Sequence, residues 1–309
     1  MQVIALRKAE LGEGFQVARA LPTRERRMVG AWCFLDHLGP VELGGGRGMH
    51  VAPHPHTCLQ TFTWMMRGEI LHRDSLGSEQ VIRPGQVNLM TAGPGIAHTE
   101  DSLQDGTVLH AAQLWIALPD SHAAVEPAFD HYPELPQWQH KGVELSLLVG
   151  EFAGYVAPTR VYTPLVALDL HAPQGGLVSL PLRRDFEYGL LPTVGSVTPR
   201  FVRNAPAEGT ATETGEGVVL DANRFAYLAP GVTSLQLELA PGSRCLLIGG
   251  EPFAESITMW WNFVAHSKDY IDAAYADWQN GSARFPDVPG ATSARLPSPR
   301  PAWQTGPAA

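Results

Sequence analysis

The sequence predicts an all-β chain made of two tandem β-barrels, and three observations lead to that prediction. The 309 residues include 31 glycines and 26 prolines, spread along the whole chain. They divide it into short segments, which suit many strands joined by turns better than long helices. The strand-like segments recur with similar spacing in both halves, and a single segment carries a clear helix signal.

Runs rich in aromatic and β-branched residues mark the strands of the first half. One run covers 59–72 and is interrupted at Arg67-Gly68, and another covers 107–119. Glycine-containing turns separate the short apolar pieces between them. This hairpin rhythm is typical of a sandwich or a small barrel. The following segment, 120–140, is rich in proline, histidine and acidic residues and is interpreted as a connector.

Strand-like segments return in the second half. They lie at 143–152, 163–172, 175–182, 187–199, 224–230 and 234–250. Their spacing resembles that of the first half, so we expect a second β-domain of similar kind, although no sequence repeat marks it.

One helix is expected over 267–281. Ser267 can cap its first turn and Gly281 can end it. Apolar side chains recur at spacings of three and four residues and form one stripe. The stripe consists of Ile271, Ala274, Tyr275 and Trp278. This pattern is typical of a helix that packs on a sheet.

Composition excludes several classes of protein. Hydrophobic residues make up 44% of the chain, enough for a folded core, and the formal net charge of -9 argues against a nucleic-acid-binding surface. The cysteines Cys33, Cys58 and Cys245 are odd in number and far apart, which fits a reducing compartment. There is no run of about 18 apolar residues and no apolar signal-peptide core at the N-terminus. We therefore expect a cytoplasmic protein that does not span a membrane or bind nucleic acid directly.

Two pairs of polar residues carry the functional signal. His54 and His56 stand one residue apart among alternating prolines, and His98 and Glu100 repeat that spacing further along the chain. Side chains at i and i+2 on a strand share a face, so each pair would point one way. Three imidazoles and one carboxylate suit a divalent first-row metal. The alternative for the first pair is a surface turn in which the histidines bind nothing.

The segment 52–101 reads APHPHTCLQTFTWMMRGEILHRDSLGSEQVIRPGQVNLMTAGPGIAHTED. It resembles the signature block of the pirin family within the cupin superfamily. The segments HAAQLWIALP (110–119) and GEPFAES (250–256) are also similar to family segments. The likeness covers roughly residues 1–288 and is strongest from 53 to 119.

The resemblance implies a bicupin organisation. An N-terminal metal-binding cupin barrel would cover 1–140, and a metal-free C-terminal cupin barrel would cover 141–288. Residues 289–309 have no hydrophobic period, so we expect an extended or disordered tail that Trp303 anchors. By motif match, the metal ligands implied are His54, His56, His98 and Glu100.

The resemblance also implies an activity. Some family members cleave flavonols such as quercetin with molecular oxygen, so we expect a metal-dependent dioxygenase with a small aromatic or flavonoid substrate. The expected cofactor is one divalent metal per chain, iron first, with nickel, copper, manganese or zinc as alternatives. The alternative function is a redox-sensing regulator in which the metal controls binding to a protein partner. In a third interpretation the metal only stabilises the fold.

Two residues depart from the family pattern. Thr57 stands where arginine is common, and Gln60 stands where a glutamate can bind metal or accept a proton. We expect Gln60 to line the pocket, on the same face as His56, without ligating the metal. Any chemistry that needs a base at this position is therefore in doubt.

Two further histidines close to these motifs are not expected to bind the metal. His50 is interpreted as a loop residue. His72 is interpreted as a strand-end residue beside a turn that hydrogen-bonds locally.

Ordinary pKa values predict how the site responds to pH. A free imidazole titrates near about pH 6.5 and a glutamate near about pH 4. We therefore expect protons to displace the metal from the histidines below about pH 6, with Glu100 joining the competition only nearer about pH 4.

Overall fold

The structure of the chain is a computed structural model, which describes residues 1–12, 14–44, 48–103, 106–203, 213–215 and 217–304. Within these ranges strands dominate and one α-helix is present. The predicted all-β fold class is therefore confirmed.

The strands of the first half follow in chain order. They are β1 (Gln2–Ala5), β2 (Arg7–Leu11), β3 (Phe15–Leu21), β4 (Trp32–Glu42), β5 (His50–His56), β6 (Leu59–Arg67), β7 (Ile70–Asp74), β8 (Glu79–Ile82), β9 (Val87–Thr91), β10 (Ile96–Ser102), β11 (Val108–Ala117), β12 (Ala128–Tyr132) and β13 (Gln137–His140).

The strands of the second half precede the helix. They are β14 (Val143–Val149), β15 (Glu151–Phe152), β16 (Tyr155–Val156), β17 (Leu165–Ala172), β18 (Gly176–Pro181), β19 (Glu187–Val194), β20 (Ser196–Arg203), β21 (Glu213–Gly215), β22 (Leu220–Asp221), β23 (Arg224–Leu228), β24 (Val232–Leu239), β25 (Ser243–Gly250), β26 (Thr258–Trp260) and β27 (Phe263–Ala265). The helix α1 (Lys268–Asn280) follows, and 3-10 turns lie at Asp120–His122 and Ala302–Gln304.

The chain divides into two compact units, each assembled from separate segments. The first unit contains Ala9–Val17, Leu38–Pro133 and the chain from Ala254 onward. The second unit contains Met1–Lys8, Ala18–His37 and Glu134–Phe253. The barrel limits expected from the sequence, 1–140 and 141–288, instead treat the two barrels as consecutive segments.

Long-range pairing explains this difference. In the second unit, β1 pairs antiparallel with β23, so the first residues of the chain join a sheet formed mostly by its later part. In the first unit, residues of β27 and α1 pack in one hydrophobic cluster with Cys58 and Ala97. Neither contact leaves a local trace in the sequence.

The first unit is built mainly from two sheets. A seven-stranded sheet has the order β12-β9-β6-β11-β4-β3-β2, and a four-stranded sheet has the order β5-β10-β7-β8. Side chains from both sheets, including Val51, Met65, Ile70 and Leu109, share one buried cluster. The four-stranded sheet carries both polar pairs of the sequence motif.

The second unit repeats this plan. A seven-stranded sheet has the order β1-β23-β19-β25-β17-β14-β13, and a smaller sheet contains β18, β24, β20, β21 and β22. Side chains from both sheets, mostly Val and Leu, fill a single core, with Leu168, Leu190, Leu237 and Leu247 fully buried.

The predicted helix is confirmed. The Ser267 side chain accepts a hydrogen bond from the backbone N–H of Tyr270, and Gly281 ends the helix in the left-handed conformation at φ 63°. Of the apolar stripe, Ile271, Ala274 and Trp278 are buried. The helix therefore attaches to the first unit through the face that the sequence predicts.

The segment 120–140 is not a simple connector. It contains β12, which pairs with β9, and β13, which pairs with β14. Its mixed composition hides these strands, because edge strands need only one buried face and their side chains here are mostly half-buried or exposed.

The tail is extended as far as it is described, and hydrogen bonds from its backbone and from tryptophan side chains hold it in place. The backbone N–H of Leu296 donates to the carbonyl oxygen of Pro53. The carbonyl oxygen of Leu296 accepts from the Nε1–H of Trp278. Trp303 Nε1–H donates to Asp272 at 2.9 Å. Residues 305–309 lie outside the described part.

The described chain contains no helix that is both long enough and apolar enough to cross a membrane.

Candidate metal centre

Three adjacent strands of the four-stranded sheet position the centre. His54 and His56 lie at i and i+2 on β5, and β10 pairs with β5 so that His98 lies opposite His54. The ring centroids are 4.3 Å apart for His54 and His98, and 5.0 Å apart for the other two pairs of these three rings. The shared face predicted for the first pair therefore brings three imidazoles together.

The three imidazoles present their nitrogens to one another in a buried position. One nitrogen from each of His54, His56 and His98 lies within 4.8 Å of the other two. The Nε2 atoms of His56 and His98 are 3.1 Å apart. A metal bound at about 2.0–2.1 Å from each nitrogen needs separations of this order.

Glu100 joins the histidines through a second group. One oxygen of Glu100 lies within 4.8 Å of ring nitrogens of His98 and His72. The pairing of β10 with β7 places Glu100 opposite His72, while the pairing of β10 with β5 shifts register between His98 and Glu100. The structure therefore places all four predicted residues in one buried polar cluster, with His98 common to both groups.

His72 is the member of this cluster that sequence reasoning missed. Its predicted local hydrogen bond is present, because Nε2 lies 3.1 Å from Oδ2 of Asp74. Its other ring nitrogen, Nδ1, lies 3.3 Å from Nδ1 of His98. The signal in the sequence was a third i, i+2 polar pair, His72 with Asp74, on a strand close to the other two pairs.

Burial keeps the histidines neutral. It lowers the pKa of His54 to about 4, although the hydrogen bond between Nδ1 and the Ala52 carbonyl oxygen acts in the opposite sense. Burial also holds the pKa of His56 and of His98 well below the usual value, and the neighbouring His54 adds to the effect. Neutral imidazoles are the form that binds a metal.

The pKa of Glu100 is shifted upward, whereas the pKa values of the histidines are shifted downward. Its pKa is raised to about 7: burial is the largest cause, the nearby Asp101 acts in the same direction, and a hydrogen bond with Thr63 opposes both. Burial therefore reverses the order that ordinary pKa values give for Glu100 and His54 in the metal-free protein, and the expected release of metal below about pH 6 stays a prediction. The carboxylate gains its proton near neutral pH, and His54 does so only near pH 4.

The donor set fits a metal ion. The Nδ1 atoms of His54 and His56 face the carbonyl oxygens of Ala52 and Asn262, which only accept, so both Nδ1 atoms carry the proton. Both Nε2 atoms then carry a lone pair. That of His56 points at Nε2 of His98 at 3.1 Å, so a cation held at the lone pair of His56 would lie next to the ring of His98.

The two residues that depart from the family pattern, Thr57 and Gln60, are both buried. Thr57 donates its hydroxyl proton to the Val264 carbonyl oxygen at 2.8 Å, and Gln60 donates from Nε2 to the Thr91 hydroxyl at 2.9 Å. Cys58 has φ 51° between β5 and β6. The alternation that would put Gln60 on the face of His56 is therefore interrupted, and the pocket role of Gln60 stays a prediction.

His50 begins β5 rather than lying in a loop. Its Nδ1 contacts Asp101, and its Nε2 lies 2.5 Å from the Ser293 hydroxyl. Both His50 and Asp101 border a cavity of about 870 Å³, which Phe15 and Met49 also line. Among its described lining residues there is no member of the predicted ligand set.

Comparison with known proteins gives the family context. The family model described as pirin matches residues 14–116, and the one described as pirin C-terminal cupin domain matches residues 167–286. A Pseudomonas aeruginosa protein that carries the provisional name quercetin 2,3-dioxygenase is 52% identical over 98% of this chain and 91% of its own length. A pirin-like protein of Caulobacter vibrioides is 35% identical over 93% of this chain and 95% of its own.

Solved structures agree with the fold. A crystal structure named quercetin 2,3-dioxygenase, from Acinetobacter baumannii, has a TM-score of 0.90 and 46% identity, over 97% of this chain and 95% of that one. A bacterial pirin from Escherichia coli in complex with nickel(II) has a TM-score of 0.59 and 15% identity, over 81% of this chain and 100% of that one. The latter likeness bears on the fold alone.

Proposed function

Because the chain belongs to the pirin family, we propose that it is a metal-dependent dioxygenase that opens the ring of a flavonol such as quercetin. The observation that carries this proposal is the convergence of three buried, neutral imidazoles beside a carboxyl group. The relatives named quercetin 2,3-dioxygenase, with 46% and 52% identity over nearly the whole chain, support the substrate class.

The proposed ligands are His54, His56, His98 and Glu100, and the proposed cofactor is one divalent metal per chain. Iron is our first choice, with nickel, copper, manganese and zinc as alternatives that elemental analysis separates. A bound metal of this kind polarises a substrate hydroxyl and brings it together with oxygen. The second unit is proposed to hold no metal.

Glu100 is the group proposed to accept the hydroxyl proton of the flavonol. The carboxylate oxygen that does not bind the metal would take up this proton, and the pKa of about 7 belongs to the metal-free protein, because a bound cation lowers it. The histidines do not compete for this proton, because burial keeps the pKa of each below its usual value.

Aromatic side chains shield the cluster from water. Trp115 of β11 meets the His56 ring edge-on at 5.0 Å between centroids, and Phe129 stacks on the His72 ring at 4.4 Å. His54 and Glu100 each keep 6% of their surface exposed, whereas His56 and His98 keep 1%. We propose that the substrate approaches from the side of His54 and Glu100.

The test is flavonol consumption by metal-loaded protein. Protein loaded with iron, nickel or copper is mixed with quercetin under air, and loss of the flavonol absorbance is followed together with oxygen uptake. We expect both signals in equal amounts, and neither in protein stripped of metal. Protein that retains metal but leaves flavonols intact would refute the dioxygenase, and the metal-controlled regulator would become the proposal to test against protein partners.

A further inference from the structure

The three histidines of the centre differ in what holds their second ring nitrogen. For His54 and His56 it is a backbone carbonyl oxygen, at 2.9 Å and 3.0 Å from Nδ1 respectively. A carbonyl oxygen only accepts, so it fixes the proton on Nδ1 and leaves the lone pair on Nε2. The tautomer of these two ligands is therefore set by the main chain.

Among the described residues, His98 has no such carbonyl oxygen as a partner. Its Nδ1 lies 3.3 Å from Nδ1 of His72, a ring nitrogen that can either donate or accept. The tautomer of His98 is therefore decided by the tautomer of His72. The other nitrogen of His72, Nε2, lies 3.1 Å from Oδ2 of Asp74.

Asp74 decides which ring nitrogen of His72 carries the proton, and so sets the direction of the hydrogen bonds that link His98, His72 and Asp74. Its side chain is fully buried, which raises its pKa, but hydrogen bonds with His72 and Ser78 outweigh burial and bring the pKa below the usual value. An ionised carboxylate only accepts, so His72 carries its proton on Nε2 and presents a lone pair at Nδ1. His98 then donates from Nδ1, and its Nε2 lone pair faces His56.

The fold fixes the positions of His72 and Asp74. His72 and Asp74 are i and i+2 on β7, and the register of β7 with β10 places Asp74 opposite His98. Oδ1 of Asp74 accepts from the backbone N–H groups of Leu76 and Ser78, at 2.9 Å and 3.0 Å. The ring of His72 stacks on Phe129 at an interplanar angle of 15°.

We propose that Asp74 and His72 are positioning residues for the metal centre, which fix His98 in the tautomer whose Nε2 lone pair faces the metal. This inference rests on the proposed metal site, but it concerns residues outside the proposed ligand set. The competing interpretation makes His72 a direct ligand, because His72, His98 and Glu100 also lie within ligating distance of one another.

Asp74→Asn separates these interpretations. The amide oxygen keeps the two hydrogen bonds to the turn, so the NH2 group replaces Oδ2 and donates to Nε2 of His72. His72 must then carry its proton on Nδ1, where it meets the N–H of His98 donor to donor. We expect His98 to move its proton to Nε2 and to lose its free lone pair there.

The measurements are zinc affinity, by competition with a chelator, and histidine tautomers, by nitrogen-15 NMR of the metal-free protein. For Asp74→Asn we expect affinity to fall by about 10–100-fold, as for other hydrogen-bond partners of metal-bound histidines. His72→Phe keeps a ring on Phe129 but removes the acceptor, and we expect a similar fall. Glu144→Gln, which alters the histidine–carboxylate pair with His171 in the second unit, is the matched control and should bind zinc as the parent does.

Three results would overturn the proposal. They are unchanged zinc affinity in Asp74→Asn, an unchanged His98 tautomer in that variant, or loss of zinc binding confined to His72→Phe, which would make His72 a ligand. If the parent protein binds no zinc, the metal centre itself is wrong. The tautomer of His98 in the metal-free protein would still decide whether Asp74 and His72 set it.

Discussion

Among single residues, His54 offers the most direct test of the proposed metal site. Alanine at this position removes one of three imidazole nitrogens that lie within 4.8 Å of one another. We expect metal affinity, measured by chelator competition at pH 8, to fall by more than the about 10–100-fold that loss of an outer hydrogen-bond partner costs. His171→Ala is the control, because His171 is a partly exposed histidine bonded to Glu144 in the second unit. Equal affinity in the two variants would contradict ligation by His54.

Gln60 tests whether the chemistry uses a base beside the metal. Gln60→Glu introduces a carboxylate at a position that is 1% exposed, where Thr91 must reverse its hydroxyl to donate. We expect faster flavonol cleavage if the position takes part, with a lower melting temperature because a buried charge is costly. An unchanged rate in protein that still binds metal would place Gln60 outside the chemistry.

The sequence predicted part of this site at the residue scale. The spacing of His54 and His56 was sufficient to predict that their side chains share a face, because alternation along β5 is a local property. The role of His72 was not predictable in this way, because its neighbour His98 is brought to it by the pairing of β7 with β10. The raised pKa of Glu100 was missed for the same reason, since burial comes from elements distant in the sequence.

Among the elements, the turn that leads into β10 is a sensitive point for stability. Gly93 has φ 50°, and a Cβ atom there would lie 1.9 Å from the carbonyl oxygen of Val125. Gly93→Ala therefore combines backbone strain of about 1–3 kcal/mol with a clash against main chain. We expect a large fall in the free energy of unfolding, measured by urea titration, and weaker metal binding, because the turn precedes His98.

Gly77 supplies the control for that substitution. It also has a positive φ, 89°, but a Cβ atom there would meet nothing within 4 Å. Gly77→Ala should therefore show the backbone strain alone, about 1–2 kcal/mol. If the two variants lose equal stability, the contact with Val125 does not matter.

Strands with a clear apolar pattern were predicted well. The break at Arg67-Gly68 appears between β6 and β7, and α1 begins and ends within a residue of its predicted limits. The strands β12 and β13 were missed, because half-buried edge strands lack a strong period and form only when a partner strand is present.

At the scale of the whole molecule, the units are assembled from interleaved segments. The repeat of one sheet plan in both units was predicted from the spacing of strands, and the family resemblance supplied its name. The contribution of Met1–Lys8 to the second unit and of α1 to the first unit was not predictable. Both depend on pairing or packing between residues more than a hundred positions apart.

Metal uptake by the whole protein should be linked to protons through Glu100. In the metal-free state the pKa of Glu100 is about 7, so below pH 7 the carboxyl group holds a proton that the metal must displace. Affinity should therefore fall as pH decreases through 7, approaching about tenfold per pH unit for one proton. A steeper fall should begin only near pH 4, where His54 also gains a proton.

Glu100→Gln isolates this linkage, since the amide has similar size but does not titrate. We expect the variant to bind metal more weakly than the parent at pH 8, and its affinity to change little between pH 7 and pH 5. The parent should release close to one proton per metal bound at pH 6, measured with an indicator dye, and the variant none. If the variant keeps the pH dependence of the parent, protons compete at the histidines. The pKa order expected from ordinary imidazoles and carboxylates would then apply to this buried site.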